Sequence, residues 1–333
     1  MADRPVVAVA MGEDVVERAL PGPVWDRLAR VAEIAGPPLT GDLSTPRERS
    51  VLARAEVLIT GWGCPTLDAG LLAAAPLLRA VCHGAGTVKG LVTDALWERG
   101  ITVSSAASAN AGPVIDYTLA CVTLAAKRAL ATAAGYPGHW PGFLERTGLD
   151  GRTVGVVGAS RIGRGVIAGL RASEADRHVL LHDPYVSEAE AAALGAEAVS
   201  LPELCRRSDI VTVHAPELPA TRGMLNAALL ALIPDGGALV NTARGSLVDT
   251  EALVRECATG RIDAYLDVTD PEPLPAGHPL LTLPNVLVTP HIAGAQGAEV
   301  ARLGRYAVAE TERFARGEPL QGALTRSDLD RIA

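Results

Sequence analysis

The chain of 333 residues is short of lysine, of aromatic side chains and of long apolar runs. Lysine occurs only at 89 and 127, so arginine supplies nearly all the positive charge. Acids still outnumber bases, leaving a formal net charge of -8, which argues against a nucleic-acid partner. The most membrane-like stretch, 114–130, contains Asp116 and Lys127 and reads as a buried helix rather than a span, so no membrane partner is expected. The five cysteines, at 64, 82, 121, 205 and 257, are scattered and lack metal-ligand spacing. They read as buried thiols in a reducing cytoplasm, and no metal site is expected. Gly12, Glu13 and Asp14 interrupt the N-terminal apolar run, so no signal peptide is expected.

What is present is an alternation of short apolar runs and amphipathic stretches, enough for about two α/β domains. Its organising stretch is 153–183. Thr153 to Gly158 is an unbroken apolar run, as in a strand buried on both faces. Ile162, Val166, Ile167 and Leu170 then fall on one helical face, and Val179 to His182 is a second strand with Asp183 at its end. In a dinucleotide-binding unit Gly158 permits the tight turn and Gly163 lets helix and strand approach. The helix N-terminus would face a pyrophosphate, and Asp183 would accept from ribose hydroxyls while repelling the extra phosphate of NADP. Ser160 stands where the second glycine of G-x-G-x-x-G belongs, and its Cβ is expected to loosen the fit. Alone, this pattern is explained equally well by an ordinary strand–turn–helix.

Before that stretch, strands are expected at 6–10, 57–60, 78–82 and 101–104, with helices at 24–35, 46–55, 67–75 and 94–99. Loops after these strands hold Trp62, then Gly84-Ala85-Gly86, then Ser105 to Asn110. Pro113 is expected to start a long helix. Residues 131–150 read as a Gly/Pro-broken loop whose Tyr136, Trp140 and Phe143 pack on a second subunit. After Asp183, strands are expected at 210–213, 238–241, 264–266 and 286–289, and a final helix at 298–314. The tail beyond Gly317 carries no signal.

Four polar residues stand just past successive strands: His214, Arg244, Asp267 and His291, with Glu272 in the following loop. A lone arginine is usually a solvated surface group, and a lone histidine usually a satisfied structural one. Strand ends on one edge of a parallel sheet converge, which changes that weighing. Reducing a carbonyl by hydride transfer needs a proton donor, which histidine can be, with a carboxylate to fix its tautomer. Arginine binds a carboxylate bidentately. The set suits interconversion of a 2-hydroxy acid and a 2-keto acid.

At these residues the chain resembles the D-2-hydroxyacid dehydrogenases, including the glycerate and phosphoglycerate enzymes. The resemblance lies in VGASRIG with Asp183, HAPELPATRG, LVNTARGSLVD, LDVTDPEPLPAGHPLL and NVLVTPHIAG. It implies two doubly wound parallel-sheet α/β domains, Rossmann-like and flavodoxin-like, with a cleft between them. Residues 1–112 with 292–333 would form the substrate domain, and 113–291 the NAD-binding Rossmann domain, in a homodimer built around the latter. It further implies Arg244 as the substrate-carboxylate ligand, His291 as general acid/base and Glu272 as its partner. The cofactor-facing set is Gly158, Ser160, Arg161, Ile162, Gly163, Asp183, His214, Thr221, Thr242, Ala243, Asp267 and His291, with Asp267 near the nicotinamide carboxamide. The substrate-facing set is Trp62, Gly84, Ala85, Gly86 and Asn110 with Arg244. Relatives acting on formate carry Gln in place of Glu272, so formate is disfavoured. Phosphoglycerate enzymes tend to carry an arginine near the Trp62 loop, which is neutral here and points to an unphosphorylated substrate. The alternative is an NAD(H)-binding regulatory or scaffold protein similar to the C-terminal-binding co-repressors. An NADP-dependent reductase is disfavoured by Asp183.

Overall fold

The computed structural model describes residues 4–330. The first three and last three residues, which the expected substrate domain includes, lie outside the described residues. The strands in chain order are β1 (Val6–Ala10), β2 (Glu33–Ile34), β3 (Val57–Thr60), β4 (Ala80–His83), β5 (Thr102–Ser105) and β6 (Arg152–Val157). They continue as β7 (Arg177–His182), β8 (Glu197–Ala198), β9 (Ile210–Val213), β10 (Ala238–Asn241), β11 (Asp263–Leu266), β12 (Val286–Val288) and β13 (Ala323–Leu324). The chain divides into two compact units. One comprises the described residues up to Asn110 together with those from Ala295 onward, and the other runs from Ala111 to Gly294.

The first unit holds a six-stranded sheet in the order β13-β5-β4-β3-β1-β2. All its pairings are parallel except β13 with β5. Successive residues feed opposite faces. Val7 and Val9 of β1 enter one core with Val57, Ile59 and Cys82, whereas Ala8 and Ala10 enter another with Leu58 and Val81. The strands therefore read as continuous apolar runs, because neither face meets water. The antiparallel edge strand was not legible in the tail. It is set by Glu310, 1% exposed, whose carboxylate accepts from Gln321 N and Gly322 N.

The second unit holds seven parallel strands in the order β12-β11-β10-β9-β6-β7-β8. Counted from β6, this is the 3-2-1-4-5-6 order of a doubly wound dinucleotide-binding sheet with one strand added. Leu239 joins one core and its neighbours Ala238 and Val240 the other, so this sheet too is covered on both faces.

Several elements differ from expectation. The helix expected over 24–35 spans Gly22–Val31, and the chain then extends into β2 beside β1. A helix at Glu13–Ala19 was not expected. Pro113 does not start the long helix, which spans Ala107–Ala126 with the proline inside. Ser105 Oγ accepts from Ala107 N and anchors the earlier start. The 131–150 segment is not all loop: a helix spans Ala129–Gly135, separated from the preceding one by Arg128 in a left-handed conformation.

Candidate active site

Strands β9, β10, β11 and β12 lie side by side and parallel, so their C-terminal ends share one edge. His214 and Asp267 follow β9 and β11 directly, and Arg244 and His291 follow β10 and β12 by three residues. His291 Nδ1 lies 2.6 Å from Glu272 Oε1, with both side chains partly exposed. His291 itself has φ +55°, a conformation uncommon outside glycine and one that surrounding bonds must hold. Its N–H donates to the Asp267 and Thr289 carbonyls. The Asp267 carboxylate, 2% exposed, accepts from Thr289 Oγ1 at 2.7 Å, Ile292 N at 2.8 Å and Ala293 N at 2.8 Å. Asp267 thus clamps the 289–293 loop around His291, whatever else it touches.

Arg244 extends from a turn braced by buried Asn241. The Asn241 side chain donates to the Arg244 carbonyl at 2.9 Å and accepts from Ala243 N at 3.0 Å. Gly245 follows because the Thr269–Asp270 backbone passes close: a Cβ there would lie 2.0 Å from the Thr269 carbonyl carbon. The arginine turn is thereby seated on the segment leading to Glu272.

The turn after β6 requires glycine at 158. Gly158 has φ +96°, and a Cβ on it would meet Ala215 N at 2.6 Å. Ser160 caps the helix Arg161–Ala172, accepting from Gly163 N at 3.3 Å. The serine that breaks the glycine pattern therefore replaces backbone freedom with a cap. The Arg161 and Ile162 amides, at the first two helical positions, lack intrahelical acceptors and are available to an anion. Asp183 accepts from Ala159 N at 2.6 Å and Tyr185 N at 2.8 Å, one bond per oxygen, leaving lone pairs for hydroxyl donors.

Three of the residues expected to face the cofactor also bond within the protein. Thr221 Oγ1 donates to Pro216 O and accepts from Leu218 N, bracing its own loop. His214 is buried beside Thr212 Oγ1, and burial pushes its pKa down to about 3, so it stays neutral. Thr242 is 9% exposed and bonded to Thr118 Oγ1. Among the described residues no group of three His, Cys, Asp or Glu side chains could hold a metal ion, and no helix is long and apolar enough to cross a membrane.

The expected substrate-facing residues other than Arg244 belong to the first unit. Gly84 to Gly86 follow β4, and Ser105 Oγ donates to the Gly86 carbonyl. Asn110 Oδ1 accepts from Ala295 N at 2.8 Å, and Trp62 is 41% exposed. His83, at the end of β4, is buried against Thr60 Oγ1, and burial pushes its pKa down to about 4. Sequence reasoning missed Asn241, Tyr117, Thr118 and Thr289. The first and last had a usable signal, since each closes or follows an apolar strand just before a candidate catalytic residue.

Residues 120–293 match the family model for the D-isomer specific 2-hydroxyacid dehydrogenase NAD-binding domain. The chain belongs to the D-isomer specific 2-hydroxyacid dehydrogenase family. It is 37% identical over 318 residues to the D-3-phosphoglycerate dehydrogenase of Mycobacterium leprae, covering 94% of this chain and 57% of that protein. The chain thus spans little more than half the length of such phosphoglycerate dehydrogenase relatives. It is 32% identical over 310 residues to the glyoxylate reductase of Aeropyrum pernix, covering 89% of this chain and 87% of that one. A solved structure of a Thermus thermophilus protein superposes with a TM-score of 0.75 at 33% identity, covering 96% of this chain and all of that one. The second unit is accordingly the family's NAD-binding domain, and the turn at Gly158 and the carboxylate of Asp183 are the features in it that suit the cofactor.

Proposed function

We propose that the protein is an NAD-dependent oxidoreductase interconverting a small D-2-hydroxy acid and its 2-keto acid. The observation carrying this reading is the 2.6 Å pairing of His291 with Glu272, on the same sheet edge as Arg244. Gly158, the amides of Arg161 and Ile162, and Asp183 would hold NAD, which supplies or takes up the hydride. In reduction, the oxygen formed at C2 needs a proton. With Nδ1 of His291 turned to Glu272, Nε2 is the nitrogen available to give it, and the carboxylate keeps a proton on Nδ1. Arg244 spends one N–H on the Ala243 carbonyl and keeps the rest of its planar fork for the substrate carboxylate.

The loop 61–65 carries no charged side chain, which supports a substrate without a phosphate. We also propose a homodimer. Tyr136, Trp140 and Phe143 are 60%, 70% and 85% exposed, a patch that a second copy would cover. The free cysteines fit a cytoplasmic setting. The test is NADH oxidation over a panel of 2-keto acids that includes glyoxylate, hydroxypyruvate, its 3-phosphate, pyruvate and phenylpyruvate, with light scattering for oligomeric state. Turnover on unphosphorylated acids is expected. Preference for the phosphorylated acid alone overturns the substrate reading, and NADH binding with no turnover on any acid overturns the enzyme reading.

A further inference from the structure

We infer that Tyr117 and Thr118, adjacent residues on the helix Ala107–Ala126, are positioning residues for the two halves of the proposed reaction: Tyr117 for His291, Thr118 for Arg244. The inference rests on the dehydrogenase reading for what those two residues do, and on hydrogen-bond directions for how they are held.

A hydroxyl has one proton to give. The Thr289 hydroxyl donates to the Asp267 carboxylate at 2.7 Å, so its 2.8 Å contact with the Tyr117 hydroxyl has tyrosine as donor. The chain Tyr117→Thr289→Asp267 then meets Ile292 N on the same carboxylate oxygen and Ala293 N on the other. His291 lies between these anchors in its left-handed conformation. Burial raises the Tyr117 pKa, and the nearby Asp267 charge adds to the rise, so the phenol keeps the proton this chain needs.

Thr118 is fully buried and donates to the Val114 carbonyl at 2.7 Å. In its 2.8 Å contact with Thr242, the Thr242 hydroxyl is therefore the donor. Thr242 precedes Arg244 by two residues, on the turn that Asn241 closes. Two successive residues of one helix, directed about 100° apart, thus hold the proton-transfer loop and the carboxylate-binding turn.

The two contacts predict different kinetic signatures. Tyr117→Phe removes the terminal donor and lowers kcat about tenfold, with KM for the 2-keto acid within about twofold. Thr118→Val leaves the Thr242 hydroxyl without its acceptor and raises KM about five- to tenfold, with kcat within about twofold. Thr118→Ser keeps the hydroxyl and restores the wild-type KM. Loss of packing alone would move both parameters together in both variants. Amide exchange supplies a readout independent of turnover: Ile292 and Ala293 should exchange faster in Tyr117→Phe and unchanged in Thr118→Val. The same kcat and KM changes in both variants overturn the division of roles. Unchanged exchange at Ile292 and Ala293 in Tyr117→Phe overturns the His291 half even if no acid is turned over. Absence of turnover with the expected exchange pattern counts against the dehydrogenase reading and leaves the positioning chain intact.

Discussion

Replacing Asp267 by asparagine removes one charge and one acceptor while preserving shape. The side chain is 2% exposed and accepts three bonds, two on Oδ1 and one on Oδ2. An amide has a single oxygen. Turned to keep Thr289 and Ile292, its nitrogen faces Ala293 N–H, donor to donor, across 2.8 Å. Turned the other way, it faces the Ile292 N–H, donor to donor, and forces the Thr289 hydroxyl to reverse its role. The less costly orientation loses one charge-assisted bond, about 1.5–3 kcal/mol, and leaves a buried donor pair unsatisfied, about 1–3 kcal/mol more. Asp267→Asn should therefore destabilise the NAD-binding unit by about 2.5–6 kcal/mol. Urea unfolding followed by circular dichroism measures this, with kcat and Ala293 amide exchange recorded at low urea. A loss below about 1 kcal/mol, with Ala293 still protected, would refute the claim that this carboxylate holds the His291 loop.

Gly245→Ala places a Cβ 2.0 Å from the Thr269 carbonyl carbon, and since that neighbour is backbone the two loops must separate. We expect a cost of about 1–3 kcal/mol and a fall in kcat/KM larger than that of a distant variant of equal stability. Ser160→Ala removes the cap on the helix Arg161–Ala172 and should cost about 1 kcal/mol by denaturant titration. The buried histidines make stability acid-sensitive. Their folded pKa values, about 4 for His83 and about 3 for His214, lie below the ordinary value near 6.5, so the unfolded chain binds more protons between those limits. Stability is full above about pH 6.5 and falls as pH drops, by about 2 kcal/mol per histidine at pH 5. Unfolding measured from pH 7 to 5 should show the fall, and His83→Gln should remove the first unit's share.

The sheet edge bearing the site was legible because its strands are buried on both faces and read as apolar runs, each ending in a polar group. Val213-His214 and Leu266-Asp267 mark the transition from core to edge within one residue. The pairing of His291 with Glu272 was accessible only through resemblance to the family, since nothing in a proline-rich loop dictates where Glu272 turns. Pro113 misled because proline favours the first helical turn, whereas here it sits inside a helix already anchored at Ser105. Ser160 was read as a defect in the glycine pattern, and its capping bond is visible only in three dimensions. The contacts of Tyr117 and Thr118 were illegible for a related reason: their partners lie 172 and 124 residues away. No local pattern encodes a bond of that span. The β5–β13 pairing was hidden because two residues are too few to alternate.

The most direct test of the account is the kcat of His291→Asn beside the wild type on the best 2-keto acid of the panel, with NADH affinity measured on both proteins. The account predicts unchanged NADH binding and a fall in kcat of at least about 100-fold, the scale of a lost general acid. A variant that binds NADH equally well and turns over at the wild-type rate would contradict the assignment of His291 as the proton donor.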